Sequence, residues 1–182
     1  MKLEPGISIS DLAFCVGETF IAHGAKAVLS GGGAAVIYAP EAYQSHDLDF
    51  ILEYYDGLSP LLTNLGFYEK HRQYKHPNFS WTLEFPPGPL AIGGDYDIAP
   101  TRLVNPDTGY RLDILSPTDC VRDRLTHFLA PTHSDFSALD QAVAVAHAIR
   151  PKIDLDLIRA WALKEESQKG RYDLFEKRLL DS

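Results

Sequence analysis

Two aspartates separated by one residue, Asp47 and Asp49, are the part of this sequence best suited to chemistry. They stand in the run His46-Asp47-Leu48-Asp49-Phe50. On a strand, side chains two apart share a face, so the two carboxylates project together, roughly 6–7 Å apart at their bases. Leu48, Phe50 and Leu52 then point the other way, into a core. Two carboxylates on one face repel each other unless a cation lies between them, and all-oxygen donors suit a hard divalent ion. Alone, such a pair is more often a solvated acidic strand edge, so its neighbours decide the reading.

Two further features matter. Trp81-Thr82-Leu83-Glu84-Phe85 alternates in the same way, with Glu84 an acid in an apolar, aromatic strand. Lying beside the first strand, it would aim Glu84 at Asp47 and Asp49; the alternative is an exposed residue. Asp95, Asp97 and Asp113 are rivals for a third acid, Asp113 the strongest because it interrupts Leu112 and Ile114. Upstream, Leu29-Ser30-Gly31-Gly32-Gly33-Ala34-Ala35 reads as a strand that ends in glycines and opens a helix. Glycines let backbone N–H groups approach a ligand, and a helix N-terminus favours an anion such as phosphate. No Gly-Lys-Ser/Thr follows, and the spacing is not that of a dinucleotide fingerprint.

The elements that must position these groups follow from periodicity. A helix over about Asp11 to His23, with Ser10 as N-cap, precedes a strand at Ala27 to Leu29 and a short helix over Ala34 to Tyr38. Strands are predicted at Leu48–Leu52, Phe67–Tyr74, Phe79–Phe85, Asp95–Leu103 and Tyr110–Leu115, with a helix at Leu58–Leu65. From Ser116 the pattern becomes helical. Ser116 is the N-cap with Pro117 at the first helical position, and helices follow over about Asp135–Ile149, from Asp154, and over Tyr172–Leu180. The fold class is therefore α+β: a mixed sheet with flanking helices over residues 1–115, then a helical C-terminal part over 116–182.

Composition sets outer limits. The 182 residues carry a formal charge of -8, which argues against adhesion to nucleic acid through a general basic face while leaving a local basic site open. No apolar run is long enough to span a bilayer, and the N-terminus lacks a signal-peptide core. A cytoplasmic protein is expected, with Cys15 and Cys120 as buried thiols.

Gly-Gly at the mouth of a short helix, Asp-x-Asp on the next strand and a lone acid on a later one resemble the nucleotidyltransferase superfamily. Gly31-Gly32 precede Asp47-Leu48-Asp49 at about the interval found there. Small bacterial proteins related to the AbiEii toxins look most similar, over Ala27 to Leu129. The resemblance implies a polymerase-beta-like head and transfer of a nucleotide from a nucleoside triphosphate, such as ATP, to an acceptor hydroxyl of tRNA or protein. It implies Mg²⁺, with Mn²⁺ as substitute, held by Asp47, Asp49 and Glu84. It also implies phosphate contacts from Ser30, Gly31 and Gly32, a contribution from Ser45, and a nucleotide contact from Arg122 or Arg124. A toxin role with a cognate antitoxin would follow. The sequence departs from relatives that carry an arginine just before Asp-x-Asp, since Tyr43, Gln44 and His46 supply none.

A non-catalytic nucleotide- or partner-binding module that keeps the fold is the competing expectation, and the direction of the third acid separates the two. Elsewhere, His71, Tyr74, Lys75 and His76 read as an exposed, mildly basic hairpin within reach of an RNA. His127, His133 and His147 lack metal-cluster spacing, Trp161 reads as core, and Glu165 and Glu166 as a solvated face.

Overall fold

The computed structural model describes residues 3–41, 45–53, 55–130, 134–164 and 169–181. Helix α1 (Ile9–Ala22) starts two residues earlier than its periodicity suggests, because Ser8 rather than Ser10 accepts the Asp11 N–H as cap. Strand β1 (Ala27–Ser30) runs straight into α2 (Gly31–Tyr38). After β2 (Asp47–Leu52) and α3 (Leu58–Asn64), the single strand expected over Phe67–Tyr74 is instead a hairpin, β3 (Tyr68–Lys70) and β4 (Gln73–His76). His71 and Arg72 make its two-residue turn, both at positive φ (54° and 66°).

Strands β5 (Phe79–Glu84), β6 (Thr101–Val104) and β7 (Arg111–Ile114) complete the sheet. The strand expected over Asp95–Leu103 forms only at its end. Ile92 and Asp95 pair with each other instead, in the segment that follows Pro86-Pro87-Gly88-Pro89. The C-terminal helices are α4 (Pro117–Leu129), α5 (Phe136–Ala148), α6 (Leu155–Ala162) and α7 (Lys169–Asp181), capped at their starts by Ser116, Asp135 and Asp154 for the first three.

The sheet order is β3-β4-β5-β2-β1-β7-β6. Leu29, Leu48, Phe50, Leu83, Leu112 and Ile114 are all fully buried on one face. Helices α1 and α2 cover that face: Phe20 of α1 packs its ring 6.0 Å from that of Phe50. A Cβ on Gly33 of α2 would lie 2.9 Å from a Leu48 methyl, so glycine lets this helix approach. The core continues from Leu3 through α4 and α5 to Leu179 of α7. The side chains between the buried positions face the other way, and that second face carries every acid singled out above on β2, β5 and β7. Cys15 and Cys120 are buried free thiols.

Candidate active site

The strand alternation places Asp47 and Asp49 on the open face while Leu48 and Phe50 fill the core. Register then assembles their neighbours. Strand β5 runs parallel to β2, with Thr82 opposite Asp47 and Glu84 opposite Asp49. On the other flank antiparallel β1 sets Ser30 opposite Asp49. Asp49 thus stands between Glu84 and the mouth of α2. Asp113 takes no part, because β1 separates its strand from β2 and it makes a bidentate pair with Arg102 at 2.7 and 2.8 Å. It lines a separate cavity of about 400 Å³ floored by Val28 and Ile51. Asp95 is held by Arg122, and Asp97 is exposed on the loop.

Gly31 is where backbone and acids meet. Its φ of +66° is one that side chains rarely adopt, and a Cβ there would lie 2.5 Å from Asp49 Oδ2. Ser30 is the residue before α2 but makes no side-chain cap; its hydroxyl donates instead to the Asp49 carbonyl at 3.2 Å. The first-turn N–H groups of α2, those of Gly32 and Gly33 included, therefore lack a side-chain cap from Ser30. The Gly31 N–H donates to Asp123 Oδ2 at 3.2 Å. Asp123, on α4, also accepts from Nε and Nη2 of Arg124, at 3.1 and 2.6 Å. Both side chains are largely buried, and Arg124 reaches Gln141 at 3.4 Å.

The remaining contacts orient the acids. The buried Ser45 hydroxyl donates to Asp47 Oδ1 at 2.8 Å, and Gln73 Nε2 donates to Glu84 Oε1 at 2.6 Å. Burial first, then the charges of Asp47 and Glu84, push the Asp49 carboxyl up to about 6, with Arg124 opposing them. The site is thus a cluster of negative charge held together against its own repulsion.

That chemistry fits a divalent cation: oxygen donors alone, from two adjacent strands, with an acid whose ionisation costs energy until positive charge arrives. Among the described residues no three His, Cys, Asp or Glu side chains already converge on one point. Closure would take side-chain rotation, not backbone movement, since the register already sets Asp49 against Glu84.

Sequence reasoning missed Asp123 and Gln73. Arg122 is not at the site: it is 5% exposed and tied to Asp119 and Asp95. Tyr74 and His76 are buried, not part of an exposed hairpin. His127 and His147 are exposed, and Trp161 is partly buried against the core. Tyr43, Gln44, His133, Glu165 and Glu166 lie outside the described residues.

No family model matches the sequence, and no curated protein matches it. Solved structures do. An antigenic nucleotidyltransferase-like protein from Paracoccidioides brasiliensis aligns over 96% of this chain and 90% of its own, with a TM-score of 0.64 at 13% identity. The antibiotic-resistance factor ANT(2'')-Ia aligns over 97% of this chain and all of its own, with a TM-score of 0.50 at 12% identity. At such identities the likeness is one of fold.

Proposed function

We propose that this chain, whose fold is nucleotidyltransferase-like, transfers a nucleotidyl group from a nucleoside triphosphate to an acceptor hydroxyl. A bond forms between the acceptor oxygen and the α-phosphorus, and the bond to the departing pyrophosphate breaks. One observation carries the reading: Asp49 is flanked in register by Glu84 on β5 and by Ser30 at the end of β1, where Gly31 opens α2 against the Asp49 carboxylate, so acids and phosphate cradle are immediate neighbours.

Asp47, Asp49 and Glu84 would hold Mg²⁺ or Mn²⁺, which supplies charge neutralisation for the triphosphate and polarises the attacking hydroxyl. In the resting protein Ser45 donates to Asp47 and Gln73 to Glu84, contacts that orient the two acids before a cation draws them together. The Gly31 to Gly33 backbone takes phosphate oxygens, and Arg124 lends positive charge. The acceptor hydroxyl belongs to an RNA or a protein, and a toxin role with a cognate antitoxin remains part of this proposal. No helix among the described residues is long and apolar enough to cross a membrane.

A second reading, a binding module without catalysis, has one observation in its favour. Asp123 already occupies the Gly31 amide and neutralises Arg124, as an inert site would. The catalytic reading takes the same contact as a carboxylate standing where a phosphate oxygen goes. It predicts that Asp123→Asn, which frees Arg124, tightens triphosphate binding about tenfold, or roughly 1.4 kcal/mol. Weaker binding in the variant would instead make Asp123 part of the ligand site.

Calorimetric titration of each nucleoside triphosphate with Mg²⁺, on wild type and on Asp47→Asn/Asp49→Asn, tests the reading itself. Magnesium-dependent binding that vanishes in the double variant is expected. A folded wild type that binds no triphosphate overturns the transfer reading.

A further inference from the structure

We infer that the open face of the sheet beyond Glu84, out to the β3–β4 edge, binds a single nucleic-acid strand and feeds its end to the acids. The role of that strand as acceptor rests on the transfer reaction proposed above; the binding surface does not.

The register lays out two rows across the open face. One runs Asp49, Glu84, Gln73, Lys70; the other Asp47, Thr82, Lys75, Tyr68. Each row crosses four strands, so it reaches roughly 14 Å from the aspartates to the sheet edge. Charge changes sign along the way, from three acids to Lys70 and Lys75, with Arg72 and His71 on the turn between them. Glu69, the acid of this hairpin, pairs opposite Tyr74 and so points to the reverse side. A cleft of about 450 Å³ joins the turn to Glu84, lined by His71, Arg72, Gln73, Pro86 and Pro87 among others.

Three observations select the occupant. First, Lys70, Arg72 and Lys75 make no ion pair among the described residues, and although Arg150, Lys152, Lys164 and Lys177 make none either, the hairpin gathers three such cations beside the acids, whereas Lys26, Arg102, Arg111, Arg122 and Arg124 are each held by a carboxylate. In a chain of net charge -8, three unneutralised cations on one hairpin are complementary to phosphates. Second, Tyr68, half exposed, stands at the end of the Lys75 row, an aromatic platform beside cations as single-strand binding requires. Third, the turn is strained in favour of charge. Both its residues sit at positive φ, where Asn-Gly is the natural pair, yet the chain places His71 and Arg72 there. A duplex needs a broader basic face than two rows supply; a single strand does not.

The test is fluorescence anisotropy with a labelled oligoribonucleotide of about 12 nucleotides and the matching oligodeoxyribonucleotide, without metal or triphosphate. Wild type is expected to bind at low salt, with log K falling against log salt at a slope of about -2 for three phosphate contacts. Lys70→Ala/Lys75→Ala should weaken binding at least tenfold and cut the slope by about 1.4. His71→Asn/Arg72→Gly suits the turn, so its melting temperature should hold or rise while strand binding falls. Tyr68→Ala should weaken oligonucleotide binding and leave heparin binding unchanged. The ribo and deoxyribo arms identify which strand is preferred.

Absence of oligonucleotide binding, equal binding to poly-glutamate, or indifference to these variants overturns the inference. Asp47→Asn/Asp49→Asn should bind the strand as well as wild type or better. Strand binding without any triphosphate binding would sink the transfer reading and leave this surface standing.

Discussion

Replacing Asp49 by asparagine (Asp49→Asn) is expected to raise the melting temperature at neutral pH while removing magnesium-dependent triphosphate binding and any transfer activity. The native carboxyl titrates near 6 against 3.8 for an unperturbed aspartate, because burial and the charges of Asp47 and Glu84 disfavour its ionised form. A native acid with a raised pKa holds a proton that the unfolded chain has already lost. Between about pH 4 and 6, therefore, stability falls as pH rises. The two-unit difference amounts to roughly 3 kcal/mol, fully lost above that window. The amide carries no charge and recovers part of it. In a chain of this size each kcal/mol moves the melting temperature by about 2–4 °C.

The comparison has internal checks. Below about pH 4 Asp49 is protonated in both states, so the difference between wild type and variant should close. Saturating Mg²⁺ should raise the wild-type melting temperature more than that of the variant, since only the wild type offers all three carboxylates. A site that destabilises its own fold until a ligand arrives is the usual trade between stability and function. If Asp49→Asn melts lower than wild type at neutral pH, the carboxylate makes favourable contacts in the resting protein, and the picture of a repelling acid cluster is wrong.

What could be read from the sequence follows the range of the interactions. The Asp47/Asp49 pairing on one face needed only the two-residue period of a strand, and the Ser116 cap only its three-residue spacing; both are local. That Glu84 lies opposite Asp49 required knowing that β5 runs parallel beside β2, which no local pattern dictates. Asp123 was harder still. It meets Gly31 from 92 residues away, and in the sequence it is one more acid beside an arginine. The turn between β3 and β4 was not legible for a different reason. It carries neither Gly nor Asn, so the usual signal for positive φ is absent, and the alternating run on both sides reads as one strand. Once the turn is in place, the period-two rule shows Tyr74 and His76 turning inward and Lys75 outward.

Arg122→Ala is expected to cost the fold about 3 kcal/mol, the largest loss of stability among these variants, and to lower the melting temperature by roughly 10 °C. The guanidinium donates from Nη1 to Asp119 Oδ1 at 2.7 Å and from Nη2 to Asp95 Oδ2 at 2.6 Å, and its carbon lies 5.2 Å from the Trp161 ring centroid. It therefore ties three segments together: α4, the loop of Asp95, and α6. Truncation leaves Asp119, largely buried, with the Ser116 hydroxyl but without its counter-charge, which is the costly part of breaking such a pair. Arg122→Lys should recover only some of the loss, because one ammonium cannot bridge both carboxylates with the geometry of a fork. Two positions on, Arg124→Ala should weaken triphosphate binding and cost the fold less than Arg122→Ala, because Asp123 keeps the Gly31 N–H as a partner and Arg124 meets one carboxylate where Arg122 meets two. The distinction follows from where each guanidinium ends: that of Arg122 is enclosed by Asp119, Asp95 and Trp161, and that of Arg124, also largely buried, lies between Gln141 and Asp123, whose carboxylate meets the Gly31 amide. Thermal melts and triphosphate titrations on the two variants measure it, and a melting loss in Arg124→Ala as large as in Arg122→Ala would make both arginines structural.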